Sequence, residues 1–93
     1  MEDWIVSSLT LASKRKARRE AGEYIQRLRE SHRPRISQRE LAEKLGYPFY
    51  TLISQVEAGL RSVPRNRMSD WAAALGVDAH EFEKNLLRPE VLH

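Results

Sequence analysis

The sequence predicts an all-α domain, and three observations carry that expectation. Apolar residues recur at spacings of three and four in successive segments, as a helix with one buried face requires. Gly46, Gly59 and Gly76 each stand just past the end of such a segment, where a left-handed residue commonly closes a helix. Ser37 with Glu40, and Asp78 with Glu81, have the spacing of a capping box, so two helix starts are marked as well.

The chain opens on an apolar arm, residues 1–13, that fits two patterns. Trp4, Ile5, Leu9 and Ala12 share one face of a helix, whereas Ile5, Leu9 and Leu11 with Ser7 fit an alternating strand, and Val6 and Thr10 favour extended backbone. A tryptophan and several aliphatics so close together demand cover, either from the same domain or from a second subunit. Lys14, Arg15, Lys16, Arg18 and Arg19 follow and run into a helix whose buried stripe is Ala21, Ile25 and Leu28. With no proline in the way, this first helix is expected to begin as early as Ser13 and to end near Ser31. Five bases at a helix start oppose the macrodipole unless an anion meets them. Pro34 then ends helical continuation, leaving His32 to Arg35 as a basic loop.

The second helix begins near Gln38, after the Ser37 cap, with Leu41, Ala42 and Leu45 as its apolar stripe and Gly46 as its end. Pro48 suits the first turn of a third helix, expected over residues 49–58. At about 100° per residue, Phe49, Leu52, Ile53 and Val56 fall in one sector facing the core, and Tyr50, Thr51, Ser54, Gln55 and Ala58 point outward. Two helices broken at one glycine suggest a helix-turn-helix. The outward sector has no formal charge but many hydrogen-bonding groups, which suits base edges in a major groove and equally fits an ordinary amphipathic helix with a polar outside. Beyond it, Ala58 and Gly59 close the third helix and Leu60 to Val63 form a loop. Pro64 opens a fourth helix with Met68, Trp71, Ala72 and Leu75 inward, and a fifth, after Asp78, buries Val77, Phe82 and Leu86 before Pro89.

Composition narrows the function classes. Ninety-three residues suffice for one small core. Cysteine is absent and the three histidines are scattered, so neither a disulfide framework nor a metal site is expected, and no apolar run is long enough to span a membrane. Nothing resembles a secretory leader, and a soluble, cytoplasmic protein is expected. No nucleophile with a base, carboxylate pair or phosphate-cradling loop is visible, so no enzyme and no cofactor is anticipated. The formal charge is uneven: −2 over residues 1–13, +6 over 14–35, +2 over 36–67 and −3 over 68–93, within a net +3. A polyanion could meet the basic middle of the chain; a solvated basic face would give the same pattern.

Several spaced motifs together resemble the lambda repressor-like helix-turn-helix family of the Xre type. They are Ile25-x-x-Leu28-Arg29, Ser37-Gln38-x-x-Leu41-Ala42-x-x-x-Gly46, Ile53-Ser54-x-Val56-Glu57-x-Gly59, Pro64, and Trp71-Ala72-x-x-Leu75-Gly76-Val77, and they span residues 22–82. The resemblance implies a five-helix DNA-binding domain over residues 14–88, with 89–93 a short tail. The second helix would cross the DNA backbone and the third would lie in the major groove. By position, it places base contacts on Tyr50, Thr51 and Gln55. Contacts to backbone or minor groove fall on Gln38, Ser54, Arg61, Arg65 and Arg67. It also implies that Glu57 pairs with Arg29, tying the third helix to the first. Two departures stand out: the interval from Gly46 to Ile53 is longer than usual in the family, and so is the loop before Gln38, where Arg33 and Arg35 add candidate phosphate contacts.

Family members mostly repress transcription as homodimers on inverted repeats, and double-stranded DNA and a second copy are the partners expected here. A second expectation is an antitoxin-type autorepressor whose arm, through Trp4, Ile5 and Leu9, binds a partner protein. A chain of this size leaves no room for a separate effector domain, so no small-molecule ligand is expected.

Overall fold

The computed structural model describes the backbone of residues 3–86 and the side chains from Ala12 onward. The side chains of Trp4, Ile5 and Leu9, together with Pro89 and the tail 89–93, lie outside the described residues. Every regular element among those described is helical: α1 (Asp3–Ser31), α2 (Gln38–Leu45), α3 (Thr51–Glu57), a 3₁₀ turn (Arg65–Arg67), α4 (Met68–Leu75) and α5 (Ala79–Leu86). The arm is therefore the first three turns of α1, and the strand alternative falls away. Leu11, Ser13 and Arg15 continue into a segment with no turn residue to separate it from the arm, so one helix runs through both.

The core is built where the helical periodicity predicts it. Ile25 of α1, Leu41, Ala42 and Leu45 of α2, Ile53 and Val56 of α3, Met68, Trp71, Ala72 and Leu75 of α4, and Phe82 of α5 are buried, with Ala21, Leu28, Val77 and Leu86 partly so. Fully burying a side chain such as Ile25 or Phe82 contributes about 1.5–3 kcal/mol. Ile36 and Val63 complete the core from loops, where no periodicity announces them.

Local chemistry sets the helix boundaries. The Ser37 hydroxyl accepts from the Glu40 N–H at 3.0 Å while the Glu40 carboxylate accepts from the Ser37 N–H at 2.9 Å, so α2 starts at a closed capping box. At the C-terminal ends of α2, α3 and α4 the glycine N–H and the following N–H both fold back onto the last turn: Tyr47 to the Ala42 carbonyl, Leu60 to Gln55 and Val77 to Ala72. Asp78 accepts from the Glu81 N–H at 3.0 Å, beginning α5.

The start of α3 departs from the expected 49–58. Tyr47, Pro48 and Phe49 belong to the turn, Tyr50 is the N-cap, and the helix runs Thr51–Glu57. Phe49, expected in the core, is 73% exposed. The reason is Tyr47, which takes the inner position instead. Its ring lies edge-on to Trp71 at 6.2 Å and its hydroxyl accepts from Trp71 Nε1 at 3.2 Å, so the turn is anchored one step earlier than the wheel assumed. The fourth helix also begins later than Pro64, after the intervening 3₁₀ turn.

Candidate nucleic-acid interface

A helix of seven residues is not stable alone, so α3 takes its orientation from what it packs against. Ile53 and Val56 anchor one face in the core. Its C-terminal end rests directly on α1, because Gly22 of α1 leaves room for the carbonyl oxygens of Val56 and Glu57. A methyl group at Gly22 would overlap both, at 2.5 Å from the Glu57 oxygen. Gly59, at φ +78°, repeats the contact from the other side, where a methyl would come within 2.9 Å of the Arg19 Cα. The two glycines bring α1 and the end of α3 together backbone to backbone.

A buried polar knot fixes the same end of α3. Glu57, 9% exposed, accepts from Arg29 Nε at 2.7 Å and Arg29 Nη2 at 3.0 Å, a two-pronged pair, and Arg29 is itself 7% exposed. Arg29 Nη1 donates to the Ile36 carbonyl at 3.0 Å, and Gln38 Nε2 donates to Glu57 Oε1 at 3.0 Å. One guanidinium and one carboxylate thus join α1, the loop before α2, the first residue of α2, and α3. The hydrogen bond to Glu57 raises the Arg29 pKa above its ordinary value, so the ion pair is held charged. Glu40, in the capping box, is held below the ordinary carboxylate range by the Ser37 N–H and hydroxyl.

With its inner face occupied, α3 presents Thr51, Ser54, Gln55 and Ala58 outward; Thr51 and Ala58 are exposed, and Ser54 and Gln55 are half-exposed. Tyr50, 49% exposed, continues this face at the N-cap, beside the uncovered Phe49. Hydroxyls and a carboxamide on a rigidly seated helix, without formal charge, can donate to and accept from base edges, and the aromatic rings can pack on sugars or thymine methyls. Next to this face, between the starts of α2 and α3, lies an open groove of about 620 Å³ lined by Arg29, Arg35, Gln38, Arg39 and Tyr50 together with the Glu40 carboxylate that closes the capping box.

The sequence-predicted arginines divide into two groups. Arg61 and Arg65 are exposed, Arg61 with a long 3.5 Å contact to Gln55 Oε1. Arg33 is also exposed and donates to the backbone oxygens of Glu30 and His32, and Arg35 pairs with Glu30 at 3.2 Å, so both are steadied at the surface. Arg67 belongs to the scaffold: it donates to the Leu45 carbonyl at 2.6 Å and to Asp70 at 2.7 Å, and its guanidinium lies 5.0 Å over the Tyr47 ring. It closes the end of α2 onto α4 and is spent on that task. Gln38 is similarly turned inward to Glu57, which leaves Arg39, exposed one residue on and not singled out by the sequence, as the cationic group at the start of α2. Its one signal in the sequence is adjacency to Gln38, which the family resemblance places against the DNA backbone or minor groove.

Among the described residues no three His, Asp or Glu side chains gather to hold a metal ion, and no helix is long and apolar enough to cross a membrane. The chain matches no family model and no curated protein.

Proposed function

We propose that this chain is a sequence-specific double-stranded DNA-binding regulator with a lambda repressor-like arrangement of its five helices. It is a binding module and not an enzyme. In this reading α3 lies in the major groove, with Thr51 and Gln55 on base edges, Tyr50 on the sugar-phosphate rim, and Arg33, Arg35, Arg39, Arg61 and Arg65 around them on phosphates. It acts as a homodimer on an inverted repeat, most simply as a cytoplasmic repressor. The observation that carries the reading is the seating of α3: the Arg29–Glu57–Gln38 knot and the Gly22 contact fix its inner side, while its outer side keeps an uncharged hydrogen-bonding face with Arg61 beside Gln55 and Arg35 and Arg39 in the groove beside Tyr50. A purely structural amphipathic helix has no need of such a tie to three other segments.

Selection from a randomised duplex pool at two salt concentrations tests the proposal. The expected result is a palindromic motif whose binding falls with salt at a logarithmic slope of about 0.9 per phosphate contacted. Recovery of no motif at either salt would overturn it.

A second reading has one observation in its favour. Helix α1 continues unbroken to Asp3 and, at 29 residues, is far longer than the eight-residue α2, α4 and α5. Among its described side chains, from Ala12 onward, the first buried position is Gly22. A helical arm of this kind suits capture of a partner protein, as in an antitoxin that also represses its own genes. Replacing Trp4 and Leu9 with alanine separates the two. Loss of the homodimer assigns the arm to self-association, and an intact dimer that no longer retains a co-purifying protein assigns it to a partner.

A further inference from the structure

Away from the α2–α3 groove the chain holds a second concavity, half-enclosed and of about 250 Å³, between α1, the loop after α3, the start of α4 and the end of α5. Its floor is apolar, formed by Ala17, Ala21, Val56, Val63, Met68 and Leu86. Among the described residues its polar groups are three cations, Lys14, Arg18 and Arg61, and the Ser62 hydroxyl, and no carboxylate lines it. Arg18 lines the cavity. Its Nε is enclosed by protein and makes no hydrogen bond, so a bound anion reaches the guanidinium through its other nitrogens or by a small shift of the side chain that gives Nε an acceptor. A planar guanidinium meets a carboxylate better than any other small anion of one charge.

From this arrangement we infer that the cavity is a binding site for a medium-chain aliphatic carboxylate, with the carboxylate on Arg18 and its neighbours and the chain on the apolar floor. The volume sets the size. At roughly 30 Å³ for each water-sized group it holds about eight heavy atoms, a hexanoate-to-octanoate chain with its head at the rim. A bare phosphate would leave the apolar floor wet, and an amine would face three like charges. The site needs no separate effector domain, so the small size of the chain does not forbid ligand control. It shares no residue with the α2–α3 groove, and of its three cations only Arg61 is also placed at the nucleic-acid face.

The test uses the whole chain without DNA: an amide ¹H–¹⁵N titration with sodium octanoate below its micelle concentration, repeated with octylammonium chloride and with sodium acetate. Saturable shifts centred on Ala21, Val63 and Met68, far weaker with acetate and absent with octylammonium, are the expected result. Arg18→Gln should weaken octanoate binding by about tenfold or more, and Ala21→Leu, which fills the floor, should abolish it while the spectrum stays folded. Unsaturable shifts scattered over the surface, an equal response to octylammonium, or unchanged octanoate affinity in folded Arg18→Gln would overturn the assignment.

Discussion

Replacing Arg29 with alanine should be among the most damaging single changes in this chain. Among the described residues, the Arg29 guanidinium supplies two of the three donors that reach Glu57 and the one side-chain donor on the Ile36 carbonyl. Its removal leaves a carboxylate 9% exposed with Gln38 as its sole remaining partner. Truncating one side of a buried ion pair costs about 3–5 kcal/mol. For a domain of this size that corresponds to a fall in melting temperature of about 12–40 °C, enough to unfold a marginal protein near room temperature. Arg29→Lys keeps the charge but loses the fork, so it should fall between wild type and Arg29→Ala. The paired change Arg29→Met with Glu57→Leu removes both charges and should recover at least about 2 kcal/mol of the loss. Urea unfolding followed by circular dichroism at 222 nm reads all four proteins. An Arg29→Ala midpoint within error of wild type would refute the view that this pair holds α3 in place.

The remaining expectations concern separate parts of the scaffold. Gly22→Ala should destabilise by about 1–3 kcal/mol through overlap with the Val56 and Glu57 carbonyls, against the gain of nearly 1 kcal/mol that the same change brings to an unobstructed helix; a rise in melting temperature would show that α1 and α3 do not meet there. Tyr47→Phe removes the acceptor for buried Trp71 Nε1 and should cost about 1–3 kcal/mol by urea unfolding, where a neutral result would mean that water or another group replaces the hydroxyl. The capping box gives a pH dependence. Because Glu40 titrates lower in the folded state than in the unfolded chain, its contribution is complete above the ordinary carboxylate pKa and disappears as pH falls through the folded value. The stability gap between wild type and Glu40→Gln should therefore narrow between neutral pH and pH 3, and a gap that widens on acidification would reverse the assignment.

Much of the fold was legible because it is written in local signals. The Ser37–Glu40 spacing, the glycines that end α2, α3 and α4, and the Met68–Trp71–Ala72–Leu75 stripe each depend on a few neighbouring residues, and each lies where the pattern puts it. What failed depended on distant partners. Pro48 read as a helix start and Phe49 as core, since no wheel shows that Tyr47 will lodge against Trp71 and spend the turn. The scaffold contacts of Arg67, which the resemblance places at the DNA backbone or minor groove, have no local signal because its partners, Leu45 and Tyr47, are some twenty residues away. The hydrogen bond from Gln38 to Glu57 is silent in the sequence for the same reason. Gly22 gave a signal that went unused: a glycine inside an uninterrupted helical pattern marks a close approach by another backbone. The outward face of α3 was readable by angle alone, and Thr51, Ser54 and Gln55 lie on it.

The measurement that bears most directly on the central claim is the binding motif of Gln55→Ala set beside that of the wild-type chain, both selected from the same random duplex pool, with thermal melts of the two proteins in parallel. Gln55 is half-exposed and outside the Arg29–Glu57 knot, so its truncation should leave the melt unchanged. If α3 reads the major groove, the variant's motif should relax at one base pair in each half-site, with a loss of about 1–3 kcal/mol in discrimination there and none elsewhere. An identical motif from a variant that melts like wild type would contradict the claim that this face of α3 reads sequence.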